Sequence, residues 1–161
     1  MKNGQKGFSL LELLAVVAII LIIAAIAIPN LLQAKVSANE SSAVSSIQII
    51  NTAMTGYNFA HNDLGYAVSL SVLGGTDCNP PSATSACLID TVLAAGVKDG
   101  YSFSAAAIGP APAEQYLAFA VPLSGTGNRS FCTTELGGIR FDATGAAIAD
   151  HDACLALPGL Q

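Results

Sequence analysis

Few side chains in this sequence could do chemistry, and they are widely spaced. Glu12 is a lone carboxylate at the head of an apolar run. From Leu13 to Ile28 no side chain is polar or charged. A carboxylate in a membrane segment costs roughly 2.5–3.5 kcal/mol at the bilayer centre and less near an edge, so a partner or a task is expected for it. His61 lies two residues from Asp63, and His151 stands between Asp150 and Asp152. A histidine beside a carboxylate is the minimum for general acid–base work. Neither pair is accompanied by a G-x-S-x-G, a P-loop or an H-E-x-x-H. Both are therefore expected to be solvated loop residues, and no enzymatic activity is expected. Asp142, Asp150 and Asp152 could offer oxygens to Ca²⁺, but no matching acidic motif surrounds them. No cofactor or metal is expected, with calcium the one ion these carboxylates could attract. Asn39-Glu40-Ser41 and Asn128-Arg129-Ser130 fit glycosylation sequons, a pattern short enough to arise by chance.

The remaining reactive groups are Cys78, Cys87, Cys132 and Cys154, all beyond the apolar run. None forms a C-x-x-C pair and no histidine stands at zinc-finger spacing. Two disulfides in an exported domain suit them. Three connectivities exist. The favoured one joins Cys78 to Cys87 across a Pro- and Ser-rich loop, and Cys132 to Cys154, tying the tail to a strand.

Residues 8–59 read as one long helix, about 78 Å at 1.5 Å per residue. Its first half is apolar all round. Phe8–Ile28 is long enough to cross a hydrocarbon core of roughly 30 Å. Its second half is amphipathic: Val36, Ala43, Ile47, Ile50, Met54 and Tyr57 form one stripe, expected to dock on the chain's own sheet. Pro29 lacks an N–H and crowds the preceding turn, which predicts a kink or local melting at Ala25–Pro29. Residues 61–99 read as a loop with one short helix over Cys87–Ala95, capped by Gly96. From residue 100 the period becomes 2, with strands over Tyr101–Ala105, Tyr116–Val121, Arg129–Thr134 and Ile139–Asp142. Tight turns between them favour an antiparallel meander. The fold class is α+β: a long N-terminal helix, its first half membrane-spanning, packed on a small antiparallel sheet of about four strands. Residues 143–161 read as an irregular tail across the sheet.

Lys6-Gly7-Phe8-Ser9-Leu10-Leu11-Glu12-Leu13-Leu14, with Pro29 behind it, resembles the N-terminal signal of type IV pilins and type II secretion pseudopilins. The resemblance covers the first third of the chain strongly and the rest by layout. It implies that a prepilin peptidase cuts after Gly7, that Phe8 becomes the N-methylated terminus, that Glu12 serves assembly and that Pro29 kinks the helix. An ordinary signal peptide cut near Ala25-Ile26-Ala27 has no use for Glu12. A plain membrane anchor does not account for the spacing of Gly7, Phe8 and Glu12. Some pseudopilins carry a calcium site in their last loop, but residues 142–152 lack its motif.

The domains expected are a leader over 1–7, a transmembrane and filament-core half-helix over 8–28, and a pilin-like globular domain over 29–161. Without the leader, Lys35, Lys98, Arg129 and Arg140 face 11 acidic side chains, and no basic cluster remains to bind nucleic acid. The resemblance implies a structural subunit of a helical homopolymer, anchored in the inner membrane as a precursor and extracellular or periplasmic once assembled. Its partners would be copies of itself, the prepilin peptidase/methyltransferase and a pilus or secretion assembly machinery. The pseudopilin of a secretion system is the alternative within the family. A membrane-anchored binding module that never polymerises is the alternative outside it.

Overall fold

A computed structural model describes residues 9–76 and 78–160. The predicted cleavage and methylation positions, Gly7 and Phe8, lie outside them. The described chain forms two compact units, one ending at Lys35 and the other beginning at Val36. Helix α1 (Leu10–Ala60) is assigned without a break, including at Pro29. The local melting expected over Ala25–Pro29 is therefore absent. The amide of Asn30, just past the proline, donates its side-chain N–H to the Ile26 carbonyl at 3.1 Å.

In the unit from Val36 onward the helical stripe packs as its spacing requires. Ala43, Ile47, Ile50, Ala53, Met54 and Tyr57 are buried, with Val36 half-buried. They share one core with Tyr101, Phe103, Tyr116, Ala118, Ala120 and Phe131 of the sheet. The sheet has five strands rather than about four: β1 (Val97–Lys98), β2 (Tyr101–Ile108), β3 (Gln115–Pro122), β4 (Ser130–Thr134) and β5 (Arg140–Asp142). They are arranged in sequence order, every neighbour antiparallel. The extra strand arises because Asp99 and Gly100 both take positive φ, 47° and 79°. That is the backbone of a two-residue hairpin turn, so Lys98-Asp99-Gly100 closes a hairpin and does not merely lead into a strand.

The two faces of the sheet are covered differently. Tyr116, Ala118 and Ala120 look toward α1, while Leu117 and Cys132 join Ile148 and Cys154 in a second, smaller core. Residues 143–160 build that second cover and are not wholly irregular: they contain helix α4 (His151–Ala156). Asp150 starts α4 by accepting the Ala153 N–H at 2.8 Å, a side-chain cap for a backbone donor that the helix leaves unsatisfied. Between α1 and β1 lie α2 (Leu70–Leu73) and α3 (Thr91–Ala94). The helix expected over Cys87–Ala95 is shorter because Asp90 caps it, accepting the Leu93 N–H at 2.9 Å.

Candidate functional site

The site that the sequence singles out is the N-terminal end of α1. Ser9 is its N-cap. The Ser9 N–H donates to Glu12 Oε2 at 3.0 Å, and the Glu12 N–H donates to Ser9 Oγ at 3.4 Å. This is a capping box, in which two backbone donors that the helix cannot satisfy find side-chain acceptors reciprocally. Glu12 thus has a partner within its own chain and lies in the first turn, where the helix dipole favours a negative charge. Ser9-x-x-Glu12 ahead of an apolar run is the sequence signature of this arrangement; weighing Glu12 only as a membrane charge misses it.

Behind the cap, Leu13–Ile28 is apolar and almost wholly solvent-exposed in the isolated chain: Leu13 is 60% exposed and Ile28 56%. Leu10, Leu13, Leu14, Val17, Ala18 and Leu21 line one shallow apolar groove along the helix. Their spacing of three and four residues is that of a seam which another helix can cover. The helix is long and apolar enough to cross a membrane, and none of its most apolar stretch is buried within the chain.

The other sequence candidates disperse. Cys78 is bonded to Cys87 and Cys132 to Cys154, with Cα separations of 5.8 and 6.1 Å. His61 stacks on Tyr57, ring centroids 4.8 Å apart. Burial, and then the Asp63 charge, raise the Tyr57 phenol above its ordinary pKa. His151 is not a solvated loop residue. Its Nε2 lies 3.0 Å from both oxygens of Glu135, and its Nδ1 lies 3.4 Å from Asp152. Burial pushes the imidazole down, but hydrogen bonds to Glu135 and Asp152 and their charges outweigh it, so its pKa is raised above 6.5. No periodicity in the sequence signals Glu135 as this partner, since it sits 16 residues away in the turn after β4. Asp142 accepts from the N–H and hydroxyl of Thr144, both at 2.8 Å, and Asp150 caps α4. The three acids considered for calcium therefore do not converge. Among the described residues no group of three or more His, Cys, Asp or Glu could hold a metal ion.

One constellation went unread in the sequence. Glu40, 7% exposed on α1, accepts the Asn128 N–H at 3.0 Å, Arg129 Nε at 2.9 Å and Arg129 Nη2 at 2.7 Å. The guanidinium carbon of Arg129 lies 5.5 Å from the ring centres of both Phe131 and Phe141. Asn39 donates its amide to the Thr126 carbonyl at 2.8 Å, so the first sequon is engaged in the same clamp. Adjacent to it, burial and the Glu40 charge lift the Tyr101 phenol to about 12, against the lowering pull of Arg129. This set fastens the helix to the turn between β3 and β4. It is structural.

The structure thus joins an apolar stem, capped by Ser9 and Glu12 and long enough to cross a membrane, with an α+β domain that holds two disulfides. The family described as the prokaryotic N-terminal methylation motif matches residues 2–28. The chain is 38% identical over 61 residues to a type II secretion system core protein G of Aeromonas hydrophila, covering 38% of this chain and 43% of that protein. It is 39% identical over 71 residues to the type IV major pilin protein PilA of Myxococcus xanthus, covering 39% and 32%. It is 58% identical over 41 residues to the type IV wide pilus major component PilA4 of Thermus thermophilus, covering 26% and 30%. The matches span less than half the length of these relatives. No solved structure matches the chain. The chain is thus similar to type IV pilins and type II secretion core proteins over at most 39% of its length, and its residues 2–28 match the prokaryotic N-terminal methylation motif.

Proposed function

We propose that this protein is the structural subunit of a type IV pilus-like filament. It is made as a single-pass inner-membrane precursor, cut between Gly7 and Phe8, N-methylated on Phe8 and polymerised through its N-terminal helix. The observation that carries this reading is the exposed stem behind the Ser9–Glu12 cap. At about 25 cal/mol per Å², covering even a few hundred Å² per neighbouring stem contributes several kcal/mol before ordering costs. The domain organisation that goes with it is a leader over 1–7, a membrane and filament-core half-helix over 8–28, and a globular domain from 29 onward. Pro29 is then a point of helix bending during extraction from the bilayer. The two disulfides suit a globular domain that lies outside the cytoplasm. Partners are copies of the chain, the prepilin peptidase/methyltransferase and the assembly machinery.

Glu12 has two roles in this reading. Within the subunit it caps the helix, which makes a carboxylate tolerable at the bilayer edge. During assembly it receives the positive Phe8 amine of the adjacent subunit in a dry core, where such attraction is strong. The second reading, a pseudopilin serving a secretion system, is favoured by the likeness to type II secretion core protein G from several bacteria. Comparison of membrane-pool and sheared-surface protein for the wild type, Glu12→Ala and Glu12→Gln tests the proposal. All three chains should reach the membrane and be cut alike. Sheared filament should fall sharply for both variants, because burying an unpaired amine costs about 3–5 kcal/mol. Normal filament yield from the variants would show Glu12 to be a capping residue only. A processed chain that never yields surface filament, even as wild type, would favour the secretion reading.

A further inference from the structure

The sheet face that α1 leaves uncovered is closed by a strap over residues 146–154, and both ends of it are fastened. At one end Ser130 Oγ donates to the Ala146 carbonyl at 2.7 Å. At the other, Cys154 is bonded to Cys132 of β4. Between them Ile148, 6% exposed, plugs a small core with Leu117, Cys132 and Cys154. Phe119 and Leu157 pack against that core. Asp150 and Asp152 bond within the strap itself. Among the described residues, the side-chain bonds that tie the middle of the strap to the sheet are those of His151 to Glu135, in the turn after β4.

The chemistry of that contact is set by its geometry. Both nitrogens of the His151 ring face carboxylate oxygens, Nε2 toward Glu135 and Nδ1 toward Asp152. An ionised carboxylate only accepts, so each nitrogen needs its own N–H, and only the imidazolium has two. A neutral ring aims a lone pair at one of the acids. Glu135 is held in place for the contact, because its Oε2 also accepts the Tyr116 N–H at 3.4 Å. The Asp152 side chain is 98% exposed and that of Glu135 18%, so solvent serves Asp152 but reaches Glu135 poorly. The other groups packed around α4 do not take over. The one titratable side chain of β3, Tyr116, bonds Asn51 with its phenol. On β5, Arg140 donates to the Leu157 carbonyl at the far end of α4, and Asp142 accepts from Thr144.

We propose that this strap is a pH-gated cover of the sheet: the His151 imidazolium locks it, and loss of that proton releases it. With the ring neutral, at most one uncharged N–H remains for Glu135, and charge-assisted hydrogen bonds are about twice as strong as neutral ones. The strap then lifts more often between its two fixed ends, and Ile148 leaves Leu117 and Phe119 to solvent. The disulfide keeps Cys154 in place and limits the movement. The closed strap binds the proton more tightly than the open one, so opening increases as pH rises through the folded-state pKa of His151. The domain therefore presents more apolar surface in alkaline than in mildly acid surroundings.

The test is hydrogen exchange followed by mass spectrometry on the full-length protein in detergent, labelled at pH 6, 7.5 and 9 with its disulfides intact. Each rate is divided by the intrinsic chemical rate at that pH, so that only opening is compared. Amides within 147–154 should open about fivefold more at pH 9 than at pH 6, the difference between a charged and a neutral hydrogen bond. Amides within 47–54 of α1 should show no such rise. His151→Gln keeps an N–H donor but cannot titrate, and Glu135→Gln removes the charge that His151 pairs with. Opening of the strap should be independent of pH in both. A flat wild-type profile overturns the proposal, as does a rise that persists in either variant. A parallel rise in α1 overturns it too, because the whole domain and not the strap would then be opening.

Discussion

Arg129→Ala should destabilise the globular domain by about 2–3 kcal/mol, although Arg129 touches nothing in the stem. The magnitude follows from what the substitution leaves behind. Breaking one partner of a fully buried ion pair costs about 3–5 kcal/mol, because the other charge stays buried. Here Glu40's side chain is only 10% exposed but that of Arg129 is 38% exposed. Solvent reaching the guanidinium screens the pair, which reduces the electrostatic part to about 2 kcal/mol. Loss of the guanidinium from the faces of Phe131 and Phe141 adds about 0.5–1 kcal/mol. For a domain of this size the sum corresponds to a fall of about 6–12 °C in Tm. The assay is thermal unfolding of the full chain in detergent, followed by near-ultraviolet circular dichroism of the tyrosines. Tyr57, Tyr101 and Tyr116 are all buried in this domain, so the signal reports its packing and not the stem. Glu40→Gln, which keeps an acceptor for the Asn128 N–H, should cost less, about 1 kcal/mol. A shift within about 2 °C for Arg129→Ala would refute the reasoning. So would additive losses in the Glu40→Ala/Arg129→Ala double variant, since the two residues share one interaction.

Three further outcomes are expected. Ser46 Oγ is buried without a hydrogen-bond partner, so Ser46→Ala should stabilise the domain by about 1 kcal/mol in the same melting assay; destabilisation would mean that the hydroxyl is satisfied. His151, with its raised pKa, contributes stability that is fully present below pH 6.5 and is lost as pH rises through its folded value. Melts across pH 6 to 9 should therefore show a decline that His151→Gln lacks, and parallel profiles would contradict the Glu135–His151 pairing. Non-reducing peptide maps of native protein should recover Cys78–Cys87 and Cys132–Cys154. Removing either bridge should cost about 3 kcal/mol, and four alkylatable thiols would contradict both.

The parts of this fold that could be read from sequence are those with strong local periodicity. Ala43, Ile47, Ile50, Met54 and Tyr57 recur at helical spacing and all face the core. Tyr101, Phe103 and Ala105 alternate with less buried neighbours. β2 extends to Ile108 because it pairs with β3 along its whole length, although the run Ala105-Ala106-Ala107 carries no pattern. α4 was not legible, because its short alanine-rich segment is made helical by the Asp150 cap and by packing of Cys154. Register and pairing across distance were not legible either. Glu40 and Arg129 are 89 residues apart, and only the folded sheet brings them together. At the stem, the motif was visible in residue types and spacing, but the reciprocal bonding of Ser9 and Glu12 concerns backbone donors that a survey of side-chain charge overlooks.

The central claim is that the stem becomes a cut, methylated and assembled helix end. Intact-mass and N-terminal peptide analysis of sheared surface filaments tests it most directly. The filament subunit should begin at Phe8, carry one N-methyl group and have lost residues 1–7, with Gly7→Val accumulating uncut in the membrane. Assembled material that still begins at Met1, or that begins after Ala27, would contradict it.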